Sequence, residues 1–248
     1  MDTQLRGKKV LITGASSGIG REIATYLDSL GCQTVLTARR EDKLISLKNI
    51  MKNETEFFSA DLEKEEEVEG LFRFCKENDI KLDGLVHCAG MNELSPIQLM
   101  DMQEAKRIMN VNFFSFLQLG KFFSSKRYSN DGGSVVAMSG LASLIGQRGN
   151  GQYAASKAAL NSAVKTMAQE FLKRRIRVNA ILPNYVDTEM MRKAKAEGGI
   201  SNQDPINEQP LGTISTIEIA YLTEYLLSDC SRSITGTLIP ITSGSNIF

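Results

Sequence analysis

The chain has 248 residues, 42% of them hydrophobic and 23% charged, enough for one full α/β core and ordinary for a globular protein. Lysine plus arginine equals aspartate plus glutamate at 29 each, which leaves no net field to draw in nucleic acid or an anionic membrane. Cys32, Cys75, Cys88 and Cys230 are scattered without CxxC spacing and there is a single histidine, which argues against structural zinc or a disulfide scaffold and fits a reducing cytoplasm.

The N-terminal stretch MDTQLRGKKVLITG passes from a polar leader into a short apolar strand, with no run long enough for a signal peptide or membrane span. That strand, residues 10–13, is the first of seven. Compact, often β-branched runs bounded by Gly, Asp or Pro recur at 34–37, 57–59, 84–87, 134–138, 177–182 and 237–241. Helical patterns lie between them, so a single domain spanning 1–248 is expected: an α/β fold with a doubly wound parallel sheet and helices on both faces.

The first strand runs into Thr13-Gly14-Ala15-Ser16-Ser17-Gly18-Ile19-Gly20 and then a helical pattern over 21–30. Glycines permit a tight turn and close approach to a pyrophosphate, and the helix start offers free N–H groups. A plain strand-to-helix turn is the alternative. Placement after the first strand and before a helix favours a dinucleotide site. The second strand ends Thr37-Ala38-Arg39-Arg40, with no acid until Glu41. A carboxylate here would accept from ribose hydroxyls and repel a 2′-phosphate, whereas a guanidinium can clamp that phosphate. NADP(H) is therefore expected, with Arg39 as the clamp; two solvated arginines at a helix start are the alternative.

Farther along, the charge run 63–69 reads as the solvated opening of a helix. Leu160, Val164, Met167 and Phe171 form one helical stripe over 158–172. Tyr153 and Lys157 stand one turn apart ahead of that stripe. An unperturbed phenol titrates near ~10. An ammonium ~4 Å away is worth roughly 4 kcal/mol at an effective dielectric of ~20, about three pKa units, so the pair is expected to draw the phenol toward neutrality. Residues 188–212 are polar and glycine-containing and read as a substrate loop at the carboxyl edge of the sheet, with Met190, Met191 and Ile200 as its apolar members.

Together the TGxxxGxG turn, Asp61-Leu62, Ala89-Gly90, Asn112 and Tyr153…Lys157 resemble the short-chain dehydrogenase/reductase family, in its single-domain branch that includes 3-oxoacyl-carrier-protein reductases. The resemblance covers residues 9 to about 244 and implies a Rossmann-like fold. It also implies cofactor contacts from Gly14, Ser16, Ser17, Gly18, Ile19, Gly20, Arg39, Asp61, Leu62, Ala89, Gly90, Tyr153, Lys157, Pro183 and Thr188. Within that set, Asp61 and Leu62 would meet the adenine, Ala89 and Gly90 the adenosine ribose, and Pro183 and Thr188 the nicotinamide amide. The catalytic group it implies is Tyr153 as acid–base, Lys157 on the ribose and the tyrosine, and Asn112 holding a relay water. No metal is implied. Family members are usually tetramers or dimers through the helices around 112–125 and 153–172, so a homo-oligomer is expected.

Four positions depart from the family pattern. Gly140 stands where the catalytic serine is usual, thirteen residues before the tyrosine. His87-Cys88 replaces Asn-Asn, Asn184 replaces a glycine, and Ser243 replaces the first of two glycines. Only Gly140 touches the chemistry. A lost oxyanion donor costs ~10²–10³ in rate, and Ser143, Ser139, a hydroxyl of substrate or water, or nothing at all could stand in. His87 is expected near the cofactor ribose, and Cys88 as a packed small side chain. The reading is an NADP(H)-dependent oxidoreductase of a ketone or secondary alcohol, with 3-oxoacyl reduction the commonest implied substrate. A small-molecule carbonyl is the expected partner, with no nucleic acid and no membrane. The competing reading is a dinucleotide-binding sensor or assembly partner with little or no turnover, motivated by Gly140.

Overall fold

Short apolar runs that bury both faces of a sheet pair as parallel strands, and all seven do so here. A computed structural model describes residues 4–189, 191–192 and 209–245. Met190, Ile200 and most of the expected substrate loop lie outside the described residues. The strands are β1 (Lys9–Thr13), β2 (Gln33–Ala38), β3 (Thr55–Ser59), β4 (Leu82–His87), β5 (Ser129–Met138), β6 (Arg177–Pro183) and β7 (Leu238–Ile241). They form one sheet in the order β3-β2-β1-β4-β5-β6-β7, parallel at every pairing.

Helices α1 (Gly18–Ser29), α2 (Glu41–Lys48), α3 (Glu65–Glu77), α4 (Met102–Met109), α5 (Ser115–Phe123), α6 (Gly151–Glu170) and α7 (Thr216–Leu227) cover the sheet. One core packs Phe72, Phe116, Phe123, Leu160 and Val164 against one sheet face. The other packs Ile23, Leu27, Leu44, Ile219 and Leu226 against the opposite face. No helix among the described residues is long and apolar enough to cross a membrane.

Two boundaries differ from the sequence reading. β5 begins at Ser129 rather than near 134, through the polar residues Asn130 to Gly133, and Asn130 Nδ2 bonds Asp83 at 2.9 Å. α6 begins at Gly151, a full turn and more before its apolar stripe, so Tyr153 and Lys157 are helical. The charge run is also more than a solvated face. Glu67 accepts from the Asp61 backbone N–H at 2.6 Å and from Lys64 at 2.7 Å, and Glu63 pairs with Arg107 at 3.2 Å.

Strand order reverses between β1 and β4, which opens a crevice beyond their carboxyl ends. The glycine turn follows β1 and Cys88-Ala89-Gly90 follows β4, so both meet there. Between α4 and α5 the chain makes one π turn, Asn110–Phe114, a local widening of the helix often found at functional sites.

Candidate active site

The turn after β1 is shaped by close approach. Gly14 has φ +67°, and a Cβ on it would lie 2.8 Å from the Ala89 backbone nitrogen; one on Gly20 would lie 2.5 Å from the Gly14 oxygen. The β1 turn, the first turn of α1 and the β4 end are thereby drawn together. Ser17 precedes α1 without capping it by its side chain, and the first turn holds no acid, so the helix presents unsatisfied N–H groups and a positive dipole end.

These groups line a cleft of about 290 Å³. Gly14, Ser16, Ser17, Gly18, Ile19, Gly20, Arg39, Asp61, Leu62, Ala89, Gly90 and Thr188 all border it, so most of the residues implied by the resemblance come together. Pro183 is buried at the end of β6 and does not border this cleft. The cradle and its free N–H groups fit a dinucleotide pyrophosphate, and the two arginines at the cleft suit a phosphate.

Arg40, the neighbour of the expected clamp Arg39, also borders the cleft. Its Nη2 donates to Ser16 Oγ at 3.1 Å and Ser17 Oγ at 2.8 Å. Arg39 is exposed at the rim. The paired-arginine spacing was visible in the sequence; which guanidinium turns back to the serines depends on the path into α2.

The catalytic end lies beside β5 and α6. Lys157 is buried, and its Nζ donates to the Met138 carbonyl at 2.8 Å. It stands 5.6 Å from the centroid of the Tyr153 ring. A Cβ on Gly90 would lie 3.4 Å from that Nζ, so the ammonium lies directly behind Gly90 of the cleft wall; Lys157 and Tyr153 are not themselves among the residues that border this cleft. Burial pushes the lysine down to about 8 and the Tyr153 phenol up to about 12. The expected lowering of the phenol by its neighbour is therefore absent: the ammonium is turned to a backbone carbonyl, and desolvation governs both groups.

Asn112 is fully buried within the π turn. Its Oδ1 accepts from the Met91 N–H at 2.9 Å, and its Nδ2 donates to the Met91 carbonyl at 3.0 Å and to Ser156 Oγ at 2.9 Å. The side chain thus pins the segment after β4 to the helix that carries Tyr153. Ser143 Oγ donates to the Gly140 carbonyl at 2.6 Å and accepts from Asn161 at 2.7 Å. Gly140 itself faces the phenol: a Cβ there would lie 3.2 Å from Tyr153 Oη.

His87 does not border the cleft. It is fully buried, with its ring 5.4 Å from that of Phe116. Thr13 Oγ1 accepts from the N–H groups of Cys88 and Ala89, both at 3.1 Å, so its own proton goes to His87 Nδ1 at 3.0 Å and the ring carries its hydrogen on Nε2. Burial holds this histidine near 3, neutral at ordinary pH. Cys88 is half-buried and does border the cleft; desolvation pushes its thiol up to about 12, which keeps it protonated at neutral pH. Asn184, in the place of a family glycine, bonds Ser245 at 2.8 Å. Ser243 takes up a left-handed φ of +53°.

A family model described as Enoyl-(Acyl carrier protein) reductase matches residues 14–246. The 3-oxoacyl-(acyl-carrier-protein) reductase of Rickettsia felis is 31% identical over 97% of this chain and 97% of its own length. Among solved structures, the aldohexose dehydrogenase of Thermoplasma acidophilum superposes with a TM-score of 0.85 at 27% identity, over 99% of this chain and 96% of that one. A 7α-hydroxysteroid dehydrogenase complexed with NADH and 7-oxo glycochenodeoxycholic acid superposes with a TM-score of 0.90 over 100% of this chain and 97% of that one. At 24% identity, the last shows the shared fold.

Proposed function

Because the chain belongs to the short-chain dehydrogenase/reductase family and is a nicotinamide-dependent oxidoreductase, we propose that it interconverts a ketone and a secondary alcohol with NADP(H), Tyr153 acting as the proton donor and acceptor. The observation that carries this reading is the position of Lys157: its ammonium lies directly behind Gly90 of the cleft wall while its helix holds Tyr153 one turn away. A reduced nicotinamide bound in the cleft supplies the hydride.

A phenol held near 12 is protonated at neutral pH, ready to donate to a growing alkoxide. Lys157, near 8, keeps most of its positive charge there and stabilises that alkoxide. Asn112 ties the Met91 segment, which borders the cleft, to Ser156 on the helix of Tyr153. Arg39 is the proposed clamp for a 2′-phosphate, with Arg40 bridging to the turn serines. Ser143 supports the Gly140 backbone in this reading rather than touching substrate.

We also read the chain as one catalytic domain that assembles with copies of itself. The support is an apolar groove bordered by Phe113, Leu117, Met167 and Phe171, between α5 and α6. The free cysteines, of which Cys230 is exposed, suit a cytoplasmic setting. A 3-oxoacyl substrate is what the Rickettsia felis relative's name says of that protein, and it belongs in the test panel. Gly140 favours the second reading, a dinucleotide-binding protein of little turnover.

The test is turnover of a carbonyl panel with NADPH and with NADH, by the natural chain and by Tyr153→Phe. Turnover that disappears in Tyr153→Phe supports the proposal. Cofactor binding without turnover supports the sensor reading, and full activity in Tyr153→Phe refutes the role given to the tyrosine.

A further inference from the structure

His87 is the single histidine of the chain, it is fully buried, and the reaction outlined above makes no use of it. Strand register fixes where its ring points. Thr13 on β1, His87 on β4 and Ala137 on β5 are in-register neighbours, so their side chains share one face of the sheet, the face that α5 and α6 cover. Nδ1 meets Thr13 Oγ1 at 3.0 Å on the β1 side. Nε2, across the ring, is therefore turned away from β1 and toward β5.

Lys157 waits on that side. One residue past Ala137, the Met138 carbonyl accepts from Lys157 Nζ at 2.8 Å, and the lysine charge acts on the histidine ring. Nε2 carries the ring hydrogen, because Thr13 Oγ1 already accepts from Cys88 and Ala89 and gives its own proton to Nδ1. That N–H is buried without a hydrogen-bond partner. Two buried donors, an imidazole N–H and an ammonium, thus stand on the same side of β4.

Resting on the oxidoreductase reading above, we propose that His87 is a positioning residue for the reaction: locked by Thr13 with its N–H toward Lys157, it opposes the ammonium and so sets how readily the lysine parts with its proton. The positive end of the imidazole dipole faces the charge, where an acceptor would hold that charge in place. Thr13 ends β1 at the head of the glycine turn, so the lock runs from the cofactor turn to the catalytic helix. The other titratable groups packed against Lys157 are Tyr153 on its own helix and Cys88 after β4. Both stay protonated through the neutral range, and no carboxylate acts on the lysine among the described residues.

With one histidine in the chain, ¹⁵N-labelled histidine reads this ring alone. The nuclear resonance spectrum should show Nε2 protonated and Nδ1 bare. The Nε2–H signal should move in one step near pH 8, where Lys157 titrates, and stay fixed in Lys157→Met. An Nδ1–H tautomer, or an Nε2–H signal indifferent to Lys157, overturns the proposal. The second measurement is the pH profile of carbonyl reduction. His87→Phe keeps a flat ring against Phe116 and removes the N–H, so the fall above pH 8 should move up by about half a pH unit, the scale of a fixed dipole on a nearby charge at an effective dielectric of ~20. The variant should then keep about 2–3-fold more of its neutral-pH rate at pH 9 than the natural chain does. His87→Asn accepts from Thr13 through its oxygen and presents its N–H on the far side, and should leave the fall near pH 8. A fall that stays put in His87→Phe overturns the proposal, and so does one that moves equally in both variants, because loss of the ring alone then explains it. Where His87→Phe fails to fold, the labelled natural chain decides. Absence of turnover on every carbonyl with either nicotinamide strikes down the oxidoreductase reading instead, and the resonance still reports whether His87 faces the lysine.

Discussion

At the β1 turn glycine is compelled by the backbone: Gly14 sits at φ +67° with the Ala89 nitrogen 2.8 Å from where a Cβ would be. At Gly140 the backbone is extended and only a flexible phenol end faces it. The same residue type therefore means different things at the two sites. In the first it answers to backbone geometry, and substitution damages folding and binding together. In the second a Cβ would meet only the Tyr153 phenol, and substitution acts on the reaction centre rather than on the chain path.

The sharpest way to break this contrast is Tyr153→Phe. Loss of the acid–base group is expected to cost ~10²–10⁴ in kcat, with NADPH affinity, read by fluorescence titration, unchanged. Gly14→Ala should do the opposite. Left-handed strain of roughly 1–2 kcal/mol adds to an overpacking cost of about 1–3 kcal/mol, so denaturation midpoint and cofactor affinity should fall together. An unaltered midpoint would remove the distinction between the two glycines.

The pH profile sharpens the catalytic end. Tyr153 near 12 is protonated across the neutral range, so alcohol oxidation, which needs the phenolate, should rise with pH by up to ~10-fold per unit. Carbonyl reduction should hold steady below pH 8 and fall above it as Lys157, near 8, loses its charge. A rising oxidation against a flat reduction from pH 6 to 8, and opposite slopes from pH 8 to 10, are the signature in steady-state assays. Stability has its own sign: Lys157 titrates lower when folded than its ordinary 10.5, so between about 8 and 10.5 the unfolded chain binds more protons and stability rises with pH.

A smaller effect tests the cofactor rim. Arg39→Ala should raise the Kd for NADPH ~10–100-fold, the scale of a charged hydrogen bond at about 1.5–3 kcal/mol, and leave NADH unchanged. A larger loss in Arg40→Ala would move the clamp by one residue. Least of all, Ser143→Ala should cost about 1 kcal/mol of stability and change kcat by no more than about 3-fold, since its hydroxyl serves Gly140 and Asn161. A fall of ~10² in kcat would return Ser143 to the reaction centre.

Much of this was legible in the sequence where the demand is local. The glycine turn and six of the seven strands declare themselves by spacing and β-branched runs within a few residues of where they lie. The β5 start at Ser129–Gly133 did not, because polar residues there pair through contacts forty-odd residues away, such as Asn130 to Asp83. The α6 start was hidden since Gly151–Lys157 carries polar and small residues and shows no apolar stripe. His87 was expected beside the cofactor ribose; the sheet instead turns its ring into the core against Phe116, where Thr13 fixes its tautomer. Side-chain direction at a strand end is decided by which strands flank it, and that is tertiary information.

The π turn at Asn110–Phe114 has a consequence for chain length. An extra residue is stored there, and removing any one of the five would let the helix relax to an ordinary ladder. The π turn winds less per residue than an α turn, so closing it up absorbs the lost residue and leaves α4 and α5 in about the same mutual orientation. What changes is the turn itself: the Asn112 amide would shift and lose its grip on Met91. In this segment the count of residues carries as much information as their kind, and a deletion should be tolerated less well than most substitutions.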